Sequence, residues 1–401
     1  MKPLALTHFT ATSCLGGGLA ATLDALQGQR SGLEPCTFET VDLPTYAGEV
    51  AGVDTVVLPG PLREFDCRNN RLAWLGLAQD GFTQAVLESA QRWGRRRIGV
   101  FLGTSTSGIL QAELAYRRRD PVTGALPADF DYPKTQNSFS VAEFVRRALD
   151  LDGPAAVVCS ACSSSAKVFG SARRMMEAGI IDAAVVGGID SLCLTTLYGF
   201  HALQLTSSGP CRPFDIERDG ISIGEGAAFA LLERPSSTDG ENAIRLLGIG
   251  ASSDAYHMSS PHPEGAGARA AMMQALQSAG LQPSDIDYIN LHGTGTQSND
   301  SSESRAVGGL FGAGTPGSST KGATGHALGA AGALEAVICA LALQNEFMPG
   351  GVNTVRVDPA LEVHYLRENR SGRVNRVISN SFGFGGTNCS LIFGRHDSSR
   401  P

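Results

Sequence analysis

Apolar residues in this chain gather in short runs. Each run is followed by a glycine-rich polar turn and then by apolar positions at helical spacing. The pattern is clearest over 154–190, PAAVVCSACSSSAKVFGSARRMMEAGIIDAAVVGGID. There 155–159 predicts a buried strand and the small residues 160–165 a tight turn. A helix over 166–178 is stopped by Gly179, and a second strand, 183–186, ends in Gly187-Gly188. Upstream, the pattern predicts a strand from residue 4, a turn at 13–18, and helices over 19–26 and 70–92. A strand at 98–102, a polar loop at 103–108 and a helix at 141–149 follow. Strands are predicted at 227–232, 243–250, 287–291, 374–380 and 389–393. Helices are predicted at 268–279, 300–311 and 327–343, the last rich in small residues that let another element pack close. Residues 34–66 and 117–137 read as insertions, and 191–225, without a clear period, as a long connection. Strand–loop–helix units in both halves predict an internal duplication of an α/β chain.

Composition changes this picture little. Glycine makes up 49 of 401 residues, about 12% against about 7% in ordinary chains, and sits in turns and beside apolar runs. Lys and Arg number 32 against 39 Asp and Glu, a net charge of −7, which argues against a nucleic-acid protein. The nine cysteines are odd in number and show no disulfide framework. With no signal peptide and no apolar run of about 20 residues, the expectation is a cytoplasmic protein with free thiols and no membrane span.

Candidate chemistry lies at three strand ends. Cys162 falls where the 160–165 turn meets a helix, so unpaired N–H groups and the helix dipole favour its thiolate and predict a lowered pKa. The bland alternative is a small buried cysteine. His292 opens His-Gly-Thr-Gly-Thr after the 287–291 strand, and His326 ends Lys-Gly-Ala-Thr-Gly-His. Lys321 on the same loop would favour anionic intermediates and keep a nearby imidazole neutral, with Glu303 and Glu335 able to balance its charge. Zinc held by Cys162, His292 and His326 is a weaker reading because metal-motif spacings are absent, so no metal is expected. His257 and His262, near Asp254, read as structural or pocket-lining.

These stretches bring out a resemblance. SACSSS around Cys162, RPFDIERDGISIGEGA at 212–227, SSDAYHMSSPHPEG at 252–265, LHGTGT, STKGATGHALGAAG and NSFGFGGTN together resemble the β-ketoacyl-acyl-carrier-protein synthases, the elongating condensing enzymes. The likeness covers nearly the whole chain. It implies a thiolase-like fold of two duplicated βαβαβ halves in a five-layered α-β-α-β-α arrangement. Residues 1–245 would carry the nucleophile and 246–401 the two histidines. It also implies that Cys162 accepts the acyl chain, that His292 and His326 support decarboxylation of the malonyl thioester, and that Lys321 pairs with Glu303. Phe384 and Cys162 would supply the oxyanion-hole N–H groups. Thr294 and Thr296 would hold the pantetheine arm, and Phe382 would also contact substrate. No cofactor is implied beyond the phosphopantetheine of an acyl carrier protein. The expected partners are that carrier and a second subunit, either another copy or a ketosynthase-like paralogue.

The chain differs from starter-type synthases, which resemble a Cys-His-Asn set. It also differs from degradative thiolases, whose second catalytic cysteine has no counterpart if Cys389 is a core strand residue. The alternative function is a non-catalytic, chain-length-determining partner subunit, and intact Cys162 argues against it. Within the resemblance there are departures. Loop 204–211 is short and lacks a basic residue for the carrier, leaving Arg68 and Arg71 better placed for that role. Thr106 stands where relatives carry a bulky residue at the base of the acyl pocket. These features resemble a divergent subgroup tied to specialised pathways such as aryl polyene synthesis.

Overall fold

The computed structural model describes residues 1–236 and 243–395. The first half contributes β1 (Leu4–Ser13), β2 (Ile98–Gly103), β3 (Ala155–Val158), β4 (Ala183–Asp190) and β5 (Gly226–Glu233). The second contributes β6 (Ile244–Ser253), β7 (Tyr288–Asn290), β8 (Pro316–Ser318), β9 (His364–Tyr365), β10 (Arg376–Gly383) and β11 (Thr387–Arg395). The strand order is β3-β2-β4-β5-β1-β6-β11-β10-β7-β8-β9. The two halves repeat one topology. In the first, β2 lies parallel to β3 and β4, while β5 pairs antiparallel with β4 and β1. In the second, β7 lies parallel to β8 and β10, while β11 pairs antiparallel with β10 and β6. Leu4 with Leu246 and Ala5 with Arg245 pair β1 with β6 and so join the halves edge to edge. The second half therefore opens with β6 at Ile244, a little before the expected division at 246.

The helices make the other layers. Those that build the layers and the site are α1 (Arg68–Leu77), α2 (Phe82–Trp93), α3 (Ser140–Ala148), α4 (Ser164–Glu177), α5 (Leu194–Ala202), α6 (Ala266–Ala279), α7 (Gln297–Phe311) and α8 (Ala331–Asn345). Strand alternation assigns each side chain to a layer. Val100, Val185, Phe229 and Leu231 point outward into a core with Leu72, Phe82 and Phe144 of α1, α2 and α3. Phe101, Val186 and Ala230 point inward, where α4 and α8 also meet Val377, Leu391 and Phe393 of the second half. Ile289, Ile378 and Ile392 point outward to α6 and α7. Helix, sheet, paired helices, sheet, helix is the expected five-layered arrangement. Because both faces of each sheet are covered, strands such as β2 and β4 read as unbroken apolar runs.

The central pair explains the small residues of α8. A Cβ on Gly332 would lie 2.7 Å from the backbone nitrogen of Ala166 in α4, so only glycine allows that approach. The segment Leu328–Asn345 is apolar and long enough to cross a bilayer, yet 89% of it is buried inside the molecule. A helix that is apolar all round belongs in such an interior. Cys389 is a fully buried residue of β11, as expected.

Two predicted elements differ. The single helix over 70–92 is two helices, α1 and α2, broken where Asp80 and Gly81 take φ values of 52° and 67°. The Asp80 carboxylate accepts the Leu19 N–H at 3.0 Å and the Thr10 hydroxyl at 2.7 Å, contacts that an unbroken helix would lose. The connection 191–225 contains α5, whose apolar residues do not form one stripe and so gave no period.

Candidate active site

Cys162 sits between β3 and α4. The preceding Ala161 is held at φ 51°, a left-handed conformation that for a residue with a Cβ costs on the order of 1–3 kcal/mol. Serine hydroxyls hold the turn. Ser164 Oγ accepts the Ser160 N–H at 2.8 Å and donates to the Ala161 carbonyl at 2.6 Å, and Ser163 Oγ donates to the Ser160 carbonyl at 3.0 Å. The backbone N–H groups of Cys162 and Phe384 both act on the thiol. Phe384 reaches it because Gly383 passes so close that a Cβ there would be 3.0 Å from the Cys162 nitrogen.

The second half brings the imidazoles to this thiol. His326 Nε2 lies 3.1 Å from Cys162 Sγ. The His292 and His326 rings stand 5.3 Å apart and nearly perpendicular, with Phe382 edge-on to His292 at 5.9 Å. Lys321 Nζ donates to the His292 carbonyl at 2.5 Å and lies 3.3 Å from His292 Nδ1. With an ammonium donating to Nδ1, the proton of the neutral ring is assigned to Nε2, on the pocket side.

The charge partner of Lys321 is Glu335 of α8, at 2.5 Å, and not Glu303. The carboxylate of Glu303 instead accepts the N–H groups of His292 and Gly293, each at 2.8 Å. One helical turn earlier, Asp300 accepts those of Thr294 and Gly295 at 3.0 and 3.2 Å. Two carboxylates in the first turns of α7 thus hold four successive N–H groups of the histidine turn. Their three-residue spacing was visible in the sequence, but the backbone they grip was not.

Burial dominates the ionisation of the site. It pushes the Cys162 thiol up to about 11, against the Lys321 charge and the two N–H groups, so the lowered pKa expected from the helix end is not what the closed pocket produces. Burial first, and the Lys321 charge second, hold both histidines well below the ordinary imidazole value, and hence neutral. Burial raises Glu303 to about 7 and raises Glu335 against the opposing Lys321 charge.

The pocket above these groups is lined by the apolar Phe200, Leu205, Ile221, Phe382 and Phe384 and by the polar Thr294, Thr296 and Asn299. The Thr294 and Thr296 hydroxyls meet at 2.9 Å, and Thr296 caps α7 by accepting the Asn299 N–H. Phe200 of α5, missed in the unpatterned connection, packs on Phe384 at 5.5 Å. Asp254 also lines the pocket and receives the Asn388 side chain at 2.8 Å. One ligand atom each from Cys162, His292 and His326 lie within 4.8 Å of one another, close enough for a metal ion. The Lys321 ammonium against His292 makes that position unfavourable for a further cation.

One assignment, the carrier role of Arg68, does not survive, and Arg71 and Thr106 have hydrogen-bond or ion-pair partners of their own. Arg68 is 4% exposed, with its guanidinium on Glu225 at 2.6 Å, Asp54 at 2.7 Å and Glu49 at 3.1 Å, so it braces the interior and is not presented to a carrier. Arg71 is engaged by Asp66 at 2.6 Å. Thr106 is 1% exposed and donates to Asp190 at 2.9 Å, on the loop beside the Cys162 elbow. Cys159, three residues before Cys162, completes a C-x-x-C spacing. Its residue is exposed while Cys162 is buried, and both thiols are free.

Known proteins agree with this geometry. Residues 69–238 match the profile of the beta-ketoacyl synthase N-terminal domain, and residues 244–355 that of the C-terminal domain. The chain is 33% identical to 3-oxoacyl-[acyl-carrier-protein] synthase 2 of Coxiella burnetii, over 98% of this chain and 99% of that one. Among solved structures it is similar, at 37% identity and a TM-score of 0.89 over 98% of both chains, to a chain of the ketosynthase ApeO in complex with its chain length factor ApeC from Xenorhabdus doucetiae. The ishigamide ketosynthase/chain length factor matches at 28% identity and a TM-score of 0.88, over 99% of this chain and 100% of that one.

Proposed function

From the premise that this chain belongs to the β-ketoacyl synthase family, we propose the following course for its reaction, a decarboxylative condensation that extends an acyl thioester by two carbons. The observation that carries it is the meeting of Cys162 Sγ with His326 Nε2 at 3.1 Å, beside His292 and beneath the N–H groups of Cys162 and Phe384.

An acyl chain arrives as a thioester on the phosphopantetheine of an acyl carrier protein. Cys162 Sγ attacks its carbonyl carbon while the oxygen takes hydrogen bonds from the Cys162 and Phe384 N–H groups, each such donor contributing about 3–4 kcal/mol. The thiol proton passes to His326 Nε2 and on to the departing carrier thiolate, so the histidine ends neutral. Malonyl carrier then binds with its thioester oxygen toward His292 Nε2–H and with His326 beside it. Loss of carbon dioxide leaves the bonding pair on the enolate, whose carbon attacks the Cys162 thioester. The Cys162–acyl bond breaks, a 3-oxoacyl thioester two carbons longer leaves on the carrier, and the Cys162 thiolate takes a proton from water. Dividing the reaction through a covalent thioester replaces one hard step by two easier ones. Lys321, fixed by Glu335, holds His292 in the donating tautomer and keeps both imidazoles neutral. No cofactor beyond the carrier's own arm takes part.

The partners are the acyl carrier protein and a second ketosynthase-like chain. Support for the second comes from the related complexes of a ketosynthase with a chain length factor. It also comes from β3, the edge strand of its sheet, whose apolar residues are not fully covered. The presence of Cys162, both histidines and Lys321 in working contact favours the catalytic subunit over a chain-length-determining one. Its place is in a specialised pathway of the aryl polyene kind, in the cytoplasm.

The test is intact-protein mass spectrometry with a panel of saturated, unsaturated and aryl acyl carriers, followed by malonyl carrier. An acyl mass on Cys162, discharged as the matching 3-oxoacyl product, is expected. Absence of any adduct, alone or with a co-expressed paralogue, would overturn the reading.

A further inference from the structure

Asp190 is a fully buried carboxylate with no role in the reaction as written. Asp190 is the last residue of β4 and is 0% exposed. Among the described residues no cation pairs with it; its partners are neutral donors from two separate loops. Its Oδ1 accepts the Thr104 hydroxyl at 2.6 Å, the Ser105 N–H at 2.8 Å, and the Thr106 N–H and hydroxyl, both at 2.9 Å. Its Oδ2 accepts the Gly329 N–H at 2.6 Å and the Ser105 N–H at 3.0 Å.

Both loops abut the reacting pair. Gly329 follows His326 by three residues, across Leu328 at φ 46°. Ser105 donates through Oγ to the carbonyl of Ala161, the strained residue before Cys162, at 3.3 Å. The Gly329 backbone presses so close to this loop that a Cβ there would lie 2.6 Å from Ser105 Oγ. Asp190 therefore ties the turn bearing the imidazole to the loop that supports the nucleophile, and those elements come from different halves of the chain.

We propose that Asp190 is a positioning residue for the condensation, its carboxylate fixing the Cys162 elbow and the His326 turn at their working separation. The idea rests on the reading of the reaction given above. Its charge has a second consequence. Among the titratable groups around the thiol, Lys321 favours the thiolate, Asp190 opposes it, and His292 and His326 are neutral. Burial is the main cause that keeps the resting thiol protonated, and the Asp190 charge adds to it while its hydrogen bonds hold the elbow in place.

Asp190→Asn keeps the shape but turns an amide N–H₂ toward backbone donors. Misplacement on the order of 1 Å at a reacting centre can cost about 10²-fold in rate, and a condensation rate lower by about that factor is expected. In the same variant, the midpoint of the pH profile for Cys162 alkylation by iodoacetamide should move to lower pH, because a negative charge has gone. Thr104→Val removes one donor and no charge. It should slow condensation less and leave the alkylation midpoint unchanged. A purely structural residue would slow condensation without moving that midpoint. Wild-type condensation in either variant, or an Asp190→Asn midpoint that stays or rises, would overturn the proposal. If Asp190→Asn does not fold, Thr104→Val decides. If the wild-type protein neither loads nor condenses, the functional reading fails, and the alkylation profile still tests Asp190.

Discussion

The nucleophile side and the histidine side of the pocket are built from different materials. Around Cys162, hydroxyls, small side chains and one strained backbone angle set the geometry; the groups bonded directly to the turn are uncharged, and the Asp190 carboxylate reaches it only through Ser105. Around His292 and His326, buried charge sets it: Lys321 on Glu335, Glu303 and Asp300 on backbone N–H groups. The contrast follows from what each side must do. A thiol that has to accept an acyl group needs room and two aimed N–H donors. Imidazoles that have to stay neutral and hold one tautomer need a fixed cation behind them.

The contrast can be tested hardest at the sulfur. Cys162→Ala should abolish the acyl adduct and reduce condensation by more than about 10⁴-fold while the melting temperature stays near wild type, since only one sulfur is lost. Unchanged product formation would remove the nucleophile assignment.

On the charged side, stability should suffer as well as rate. Lys321→Ala leaves Glu335 buried without a counter-charge, a loss of about 3–5 kcal/mol by denaturant unfolding at pH 8. The deficit should shrink at pH 5, where Glu335, already raised by burial, can be protonated. A variant as stable as wild type at both values would mean the pair does not carry the site.

His292→Ala separates the two half-reactions, because His326 remains on Cys162 Sγ to carry the loading proton. Decarboxylation of malonyl carrier should fall by about 10²–10³-fold while acyl loading at Cys162 persists. Loss of loading with normal decarboxylation would reverse the roles.

Glu303 gives a gentler effect with a defined sign. Burial raises it to about 7 from 4.5, so between those values the native state holds a proton that the unfolded chain has released. Its contribution to stability is therefore fully present below about pH 4.5 and is lost as pH rises through about 7. Glu303→Gln should flatten that slope in urea titrations. The two histidines act in the opposite sense. Held neutral in the fold, they take up protons only on unfolding, and stability falls as pH drops below 6.5. The smallest effect expected is that of Arg71→Ala, whose partly exposed pair with Asp66 should be worth less than about 1 kcal/mol.

Much of this site was legible before any coordinates. Cys162, His292, His326 and Lys321 stand in glycine-rich turns at strand ends, where side chains can approach a ligand, and the family motifs add Phe384, Thr294 and Thr296. Local misreadings share one cause. Arg68 reads as a surface base because arginine is seldom buried, but Glu225, 157 residues away, neutralises it inside. The residues alone leave Glu303 and Glu335 both open as partners of Lys321 and the resemblance implies Glu303, yet in the fold the Glu303 carboxylate faces backbone N–H groups and Glu335 of α8 faces the lysine. Phe200 and Asp190 carried no pattern of their own.

The sequence by itself determined the alternation of strands and helices, the duplicated order, the small-residue helix over 327–343 and the reactive residues, because periodicity and turn chemistry are local properties. Only the tertiary structure decided which carboxylate meets which cation, which arginine is buried, and that burial outweighs the helix end at Cys162. Those outcomes depend on desolvation and on tertiary contacts, Lys321 with Glu335 14 positions on and Arg68 with Glu225 157 positions on, and neither is written in a local period of the chain.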